Sequence, residues 1–381
     1  MPGFCGKIKS NTKALGAYIL NNKKTTLHTF KKVLLSVFLT LVALVLAGVI
    51  GFYVVIVSGI FPKLTDLWVC TAMTTLSHKY LATWFFSEER IEEIMERNTV
   101  DDSGYSTDVD QVEIKEPEPE INVDSYVEEG YILLEEGLYL KEVSGENWKG
   151  WLMLTTDPRR IKLEDTRRQF ECGQKVMTMI ENAGAVAGIN GGGFSDGPNY
   201  DSNGGMPAGL VIENGVLVYP TDEESIENEI HSMIGLNSDG VLVLRKCTAK
   251  WALENDIVSA VAFTPYIIVN GEGIVKHGTG GWGIAPRTAI GQRKTGEIIF
   301  LVIDGRQVGH SIGVDLLPIQ ETLLAEGCIN AAMMDGGSST VMIYNKEFVN
   351  KPSLGFERYI NNAWVVMPIE KNEESDGASA E

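Results

Sequence analysis

Three short apolar runs in this chain end in the same way. Residues 185–189 run into Asn190-Gly191-Gly192-Gly193-Phe194, residues 298–303 into Asp304-Gly305-Arg306, and residues 331–334 into Asp335-Gly336-Gly337-Ser338-Ser339-Thr340. In each, a strand-like segment delivers an Asn or Asp, and glycine follows. Glycine admits positive φ and lets a ligand approach the backbone closely. One Asx-Gly pair is only a turn signal. Three of them, two extended by further glycines or by hydroxyls, predict a site where strand ends meet. The 335–340 segment holds one carboxylate, backbone N–H groups and three hydroxyls, a set suited to an oxygen-rich anion. It is no P-loop, because no Gly-Lys-Ser/Thr follows, and it is not the Gly-x-Ser-x-Gly elbow. His231, His277 and His310 carry no triad motif.

Taken together, INGGGF (189–194), RTAIG (287–291), IDGR (303–306), the helical segment 314–327 and DGGSST (335–340) resemble the phosphodiester glycosidase family. Order and spacing agree over roughly residues 130–368, and ERYINNAWVV (357–366) resembles the family's closing segment. The likeness is to a bacterial, membrane-anchored type. It implies cleavage of the bond from sugar C1 to a phosphate oxygen, as in a GlcNAc-type 1-phosphodiester of an exopolysaccharide or cell-wall polymer. A phosphate ester leaves as a weak base, so it needs less protonation than a sugar alcohol. A carboxylate must still direct water or stabilise an oxocarbenium-like centre, and donors must hold the phosphate. Asp304 and Asp335 are the expected catalytic carboxylates. Arg287 and Arg306 are expected on the phosphate, since a guanidinium matches it bidentately, with Arg358 a third. Asn190 is expected on sugar hydroxyls, Phe194 against a sugar face, and Ser338, Ser339 and Thr340 as donors. Gly192, Gly336 and Gly337 are expected where substrate meets backbone. Each has a plainer alternative: Asp304 and Arg306 as a surface pair, Arg287 as the partner of Asp335, Phe194 as core. A non-catalytic glycan-binding or assembly protein and a glycosyl-phosphate transferase remain open as other functions of the same fold.

The elements that would position these residues are mostly strands. Short Val/Ile-rich runs at 131–143, 150–155, 185–189, 210–218, 241–245, 258–264, 266–269, 298–303 and 331–334 alternate with turn signals. Helices are expected at 170–182, stopped by Gly184, and at 314–326, stopped by Gly327. The expected class is α+β: β-rich mixed sheets with a few packed helices, after a single N-terminal transmembrane helix.

Charge divides the chain further. The 381 residues carry a formal −19, yet residues 1–32 hold seven lysines and no acid. That overall balance excludes a generic nucleic-acid binder, whose footprint is basic. Residues 33–62 carry no charge at all, long enough for a spanning helix and too long for an ordinary signal peptide. By the positive-inside rule the tail stays cytoplasmic and everything beyond residue 63 lies outside the cytoplasm. The expected organisation is a basic tail (1–32), a signal-anchor helix (33–61), a juxtamembrane helical stalk (62–98), an acidic linker (99–125), the glycosidase-like domain (126–368) and a disordered acidic tail (369–381). Residues 88–136 hold 18 acids against three bases, a composition expected to stay extended. The expected partners are a phosphorylated glycan or cell-wall polymer and the bilayer. No cofactor is firmly expected. Asn199-Tyr200-Asp201-Ser202-Asn203-Gly204 opens like a calcium loop, but its twelfth position is Leu210, which excludes an EF-hand. A different Ca2+ site including Asp196 is the lesser alternative to a polar loop over the cleft, which residues 277–283 would share. Cys70, Cys172, Cys247 and Cys328 show no metal-ligand spacing, and no disulfide is assigned.

Overall fold

Continuous apolar runs in the chain become strands covered on both faces, and shorter alternating runs become their neighbours. The computed structural model describes residues 4–75, 78–114, 123–195, 203–276 and 279–369. Contacts divide it into two units, Met1–Thr65 and Asp66–Glu381. In the first, the helix Phe4–Phe52 continues into a π-helical turn, Tyr53–Val57. Within it, His28–Val57 is long and apolar enough to cross a membrane once. Leu34, Phe38, Leu44 and Ile50 stand exposed along it, which is favourable in hydrocarbon and not in water.

The second unit is built on an eight-stranded sheet. Its order is Ile132–Glu135, Leu138–Ser144, Lys149–Thr155, Ile298–Ile303, Arg287–Arg293, Cys328–Met334, Tyr266–Val269 and Glu272–Gly273. Two five-stranded sheets accompany it. One runs Leu242–Cys247, His231–Asn237, Ile257–Ala262, Val211–Glu213, Val216–Tyr219; the other runs Glu347–Phe348, Met342–Tyr344, Ala187–Asn190, Asn362–Val366, Ile161–Asp165. The α+β class is the expected one. Pairing among the described strands is antiparallel throughout, where mixed sheets were expected.

Period-two alternation explains the central sheet. Ile290, Phe300, Val302, Ala332 and Met334 enter one core. Their neighbours Ala289, Ile299, Leu301, Ala331 and Met333 enter another, which Ile319 and Leu323 of the helix Leu317–Ala325 cover. Both faces are buried, so these strands read as unbroken apolar runs.

Several expected elements change shape. The 131–143 run is a hairpin bent at Gly137, and 210–218 is a hairpin bent at Asn214-Gly215, all with positive φ. The expected helix at 170–182 is Val176–Ala183. It starts late because Phe170 has φ 64° and Gln174 pairs through its backbone with Ile360. The 62–98 segment is three helices, Pro62–Met73, Tyr80–Thr83 and Glu88–Asn98. They share a small core of Val69, Cys70, Ala72, Ala82, Ile91 and Ile94.

The acidic segment departs most from expectation. Residues 99–114 lie against the domain instead of extending from it. Asp102 is 4% exposed, pairs with Lys246 at 2.7 Å and accepts the Tyr266 N–H at 3.2 Å. Thr107 donates its N–H to Leu244 O (3.0 Å) and accepts the Leu244 N–H (2.9 Å). Composition predicted too little apolar surface for self-ordering. The order comes instead from an edge strand with unpaired backbone groups to offer. Residues 115–122 and 370–381, and hence most of the expected disordered tail, lie outside the described residues. Cys70, Cys172, Cys247 and Cys328 are free thiols.

One buried carboxyl gives the fold a pH signature. Asp165 ends the strand Ile161–Asp165, is buried, and leaves Oδ1 without a partner. Burial first, then the charge of Glu213, pushes it up to about 7. A carboxyl raised in the folded state contributes stability that is lost as pH rises from its unfolded value through about 7. Asp165→Asn should therefore stabilise the protein, with an advantage over wild type that grows from pH 4 to pH 7 and then levels off. Thermal melts across that range check this; an advantage independent of pH would contradict it.

Candidate functional site

Antiparallel register assembles the site. Arg287–Arg293 lies between Ile298–Ile303 and Cys328–Met334, with Arg287 opposite Ile303 and Thr288 opposite Met334. The middle strand therefore begins where its neighbours end, and Asp304 and Asp335 leave the sheet on either side of Arg287. The third strand end joins them from another sheet. Asn190 donates from Nδ2 to Asp335 O at 2.6 Å, and Asp335 N–H donates to Gly191 O at 3.1 Å. The strand adjacency that sequence leaves invisible thus brings all three Asx-Gly ends together.

Their side chains do different things. Asn190 is 1% exposed; its Oδ1 accepts Thr288 Oγ1 (2.8 Å) and Val341 N–H (3.2 Å). It ties strands together instead of facing a sugar. Asp304 is fully buried. It accepts Asn350 Nδ2 (3.0 Å), Lys351 N–H (3.0 Å) and His310 Nε2 (2.7 Å). With its oxygens spent this way, it is an anchor for the 304–312 turn and not a carboxylate open to substrate. Nor does it pair with Arg306 at the surface. Gly191, Gly192 and Gly193 are glycines for packing reasons. A Cβ on Gly191 would stand 2.2 Å from Asn362 Oδ1, and one on Gly192 would stand 2.9 Å from Val261 Cβ.

Arg287 is 3% exposed, and its fork is already occupied. Nε donates to Val314 O (3.2 Å), and Nη2 donates to the carbonyls of Trp282 and Gly283. Nη1 points toward Gly336, 3.5 Å from where a Cβ would sit. Burial, then the Arg306 charge, lowers its pKa to about 10, against the charges of Asp315 and Asp335. It stays charged at neutral pH. Arg306 is likewise lowered by burial, with Asp335 favouring its charge. Arg306 adopts φ 60°, and Gly337, at φ 63°, lies beneath it: a Cβ there would come 3.2 Å from Arg306 Nη2. Asp335, half-buried, is the carboxylate that both guanidiniums sense.

The hydroxyls divide as well. Ser338 Oγ accepts Arg358 Nη1 at 3.3 Å. Ser339 and Thr340 turn inward, buried, and neither hydroxyl oxygen has a hydrogen-bond partner. The Arg358 guanidinium lies 4.7 Å from the Phe194 ring centre, a cation–π contact that holds it in place. Phe194 itself packs partly into the core beside Val176 and Ile360. A cleft of about 530 Å³ opens beside Ser338 and Arg358, lined also by Lys175, Leu354, Phe356, Glu357 and Tyr359.

Several participants escape sequence reasoning. His310 is missed because its partner Asp304 is recognisable only in the folded turn. Asp315 faces Arg287, and burial first of all pushes its carboxyl up to about 6; nothing around it forms a motif. Lys175 enters the cleft from one loop and Phe356 and Tyr359 from another, although Tyr359 adjoins the Glu357-Arg358 signal. Trp282 and Gly283 contribute carbonyls, which no side-chain pattern reveals. The calcium-like loop falls largely within residues 196–202, outside the described residues. Among the described residues no cluster of three or more His, Cys, Asp or Glu could hold a metal.

Residues 183–367 match the family model described as phosphodiester glycosidase. A prophage-derived protein of Bacillus subtilis is 39% identical over 75 residues, 20% of this chain and 12% of that protein. The bovine N-acetylglucosamine-1-phosphodiester alpha-N-acetylglucosaminidase is 26% identical over 212 residues, 51% of this chain and 35% of the relative. The chain thus spans well under half the length of these relatives. The zebrafish catalytic domain of that enzyme, auto-inhibited by its pro-peptide, superposes with a TM-score of 0.50 at 19% identity. The match covers 61% of this chain and 82% of that one, and shares the fold.

The anchoring role of Asp304 has a measurable consequence. Asp304→Ala strands the Lys351 N–H, the Asn350 amide and the His310 ring, and should cost about 3 kcal/mol of unfolding free energy. His310→Ala removes one partner and should cost about 1 kcal/mol. Denaturant unfolding of the full chain separates the two; equal, small losses would remove Asp304 from its anchoring role.

Proposed function

We propose, from the match of residues 183–367 to the phosphodiester glycosidase family model, that this chain is a hydrolase cleaving the sugar C1–O–phosphate bond of a glycosyl-1-phosphodiester. The observation that carries the reading is the convergence of Asp335, Arg287 and Arg306 on the Gly336-Gly337 turn. Such a bond needs a carboxylate at C1 and positive charge where the leaving phosphate gathers its electrons, and this turn offers both.

In this reading Asp335 directs water to C1 and stabilises the oxocarbenium-like centre. Water's oxygen bonds to C1, and the C1–O bond breaks. The bonding pair leaves on the phosphate oxygen, and the water proton passes through the carboxylate to solvent. The products are a free sugar and a phosphomonoester. Arg306 and Arg358 hold the phosphate oxygens. Arg287 supplies a fixed positive field from behind the turn, since its Nε and Nη2 are held by carbonyls. Preorganised charge of this kind costs no reorganisation during reaction. The cleft beside Ser338, with Lys175, Phe356 and Tyr359, takes the sugar or the polymer arm.

The cellular setting follows from the first unit. The seven lysines within residues 1–32, with no acid among them, favour a cytoplasmic N-terminus and an extracytoplasmic second unit. The substrate is then a surface polymer, an exopolysaccharide or cell-wall glycan with phosphodiester-linked sugars.

The test is the full chain in detergent with the methyl ester of GlcNAc-1-phosphate. Free GlcNAc should appear. Asp335→Asn should lower kcat about 100-fold or more, and Arg306→Ala about 100-fold. Sugar release surviving Asp335→Ala, or activity on ordinary glycosides alone, would overturn the reading.

A further inference from the structure

The helices that precede the family domain were expected to be a stalk with no part in chemistry. Their contacts point elsewhere. Thr71, on Pro62–Met73, accepts the Ile284 N–H on Oγ1 at 3.1 Å. The carbonyl of that same peptide unit, Gly283 O, accepts Arg287 Nη2. One peptide plane therefore joins the helix to the buried guanidinium. A trans peptide aims its N–H and C=O in opposite directions, and hydrogen bonding at one end polarises the other.

Two further contacts fix this peptide's surroundings. Thr279 is buried and donates to Asn98 Oδ1 at 3.0 Å, while accepting the Gly281 N–H at 3.2 Å. Asn98 is held in turn by Ile94 O (2.8 Å) and Asp66 Oδ2 (3.1 Å), and Asp66 also receives Arg97 Nε at 3.2 Å. Gly283 lies directly on the helix: a Cβ there would stand 2.2 Å from Thr71 Cα. The described part of the 277–283 segment, expected to share a polar loop over the cleft, is thus held by the helices.

We propose that the helical segment after residue 66 is part of the catalytic apparatus, and that Thr71, Asn98 and Thr279 are positioning residues which set Arg287 through the Gly283–Ile284 peptide. The proposal rests on the hydrolase reading, because it assigns Arg287 a task in that reaction. It also makes a claim independent of turnover: the helices hold the 279–287 segment.

Thr71→Val removes the acceptor at nearly constant volume, and Thr71→Ser restores it. In the full chain on the methyl ester of GlcNAc-1-phosphate, Thr71→Val should lower kcat about tenfold with KM little changed and the melting temperature close to wild type. Thr71→Ser should recover most of the rate. Backbone hydrogen exchange over 279–287 should quicken in Thr71→Val, and in Thr71→Ala should the first variant fold poorly. Unchanged or raised kcat in Thr71→Val, or failure of Thr71→Ser to rescue it, overturns the positioning role. Unchanged exchange in a folded variant overturns the clamp itself. An inactive wild type with quickened exchange in the variant sinks the hydrolase reading and, with it, the catalytic role, while the clamp stands.

Discussion

Enclosing a guanidinium costs several kcal/mol unless dipoles and opposite charges surround it, and Arg287 is almost completely enclosed. Three carbonyls, from Trp282, Gly283 and Val314, take its Nε and Nη2 donors, and Asp315 and Asp335 supply the compensating charge. These partners come from three separate parts of the chain. Satisfying one cation therefore fixes the 279–284 segment, the start of Leu317–Ala325 and the Asp335 turn relative to one another. The same arrangement leaves Nη1 facing Gly336, so a structural necessity also charges the site.

The sheet makes this possible. Because the three central strands are antiparallel, the first residue of the middle one lies level with the last residues of its neighbours. Burial on both faces locks that register, since a one-residue slip would exchange every side chain between two cores. Asn190 then carries the constraint into a second sheet through its bonds to Asp335 O, Thr288 and Val341. Rigid strands, tight turns and a saturated Asp304 hold the carboxylate and cations still before any substrate arrives.

The meeting of the three strand ends was legible because Asn190, Asp304 and Asp335 all end apolar runs with glycine, and strand ends converge in antiparallel sheets. Their roles were not. Whether Asp304 faces solvent depends on Asn350 and Lys351, nearly fifty residues away. Whether Arg287 can fork onto phosphate depends on carbonyls, which carry no side-chain signature. The 99–114 segment shows the same limit. Composition measures the apolar area a segment can bury by itself, not the backbone partners a neighbouring edge strand offers. Helix ends at Gly184 and Gly327 were legible, because positive φ there follows from local chemistry alone.

The central claim is that the bond broken joins carbon to oxygen, with Asp335 acting at the sugar and the arginines at the phosphate. Hydrolysis of the methyl ester of GlcNAc-1-phosphate in water enriched in oxygen-18 tests it directly. The account predicts that the label enters the C1 hydroxyl of the released sugar and leaves the phosphomonoester unlabelled. Label in the phosphate would mean attack at phosphorus, and would contradict the roles given to Asp335, Arg306 and Arg287 together.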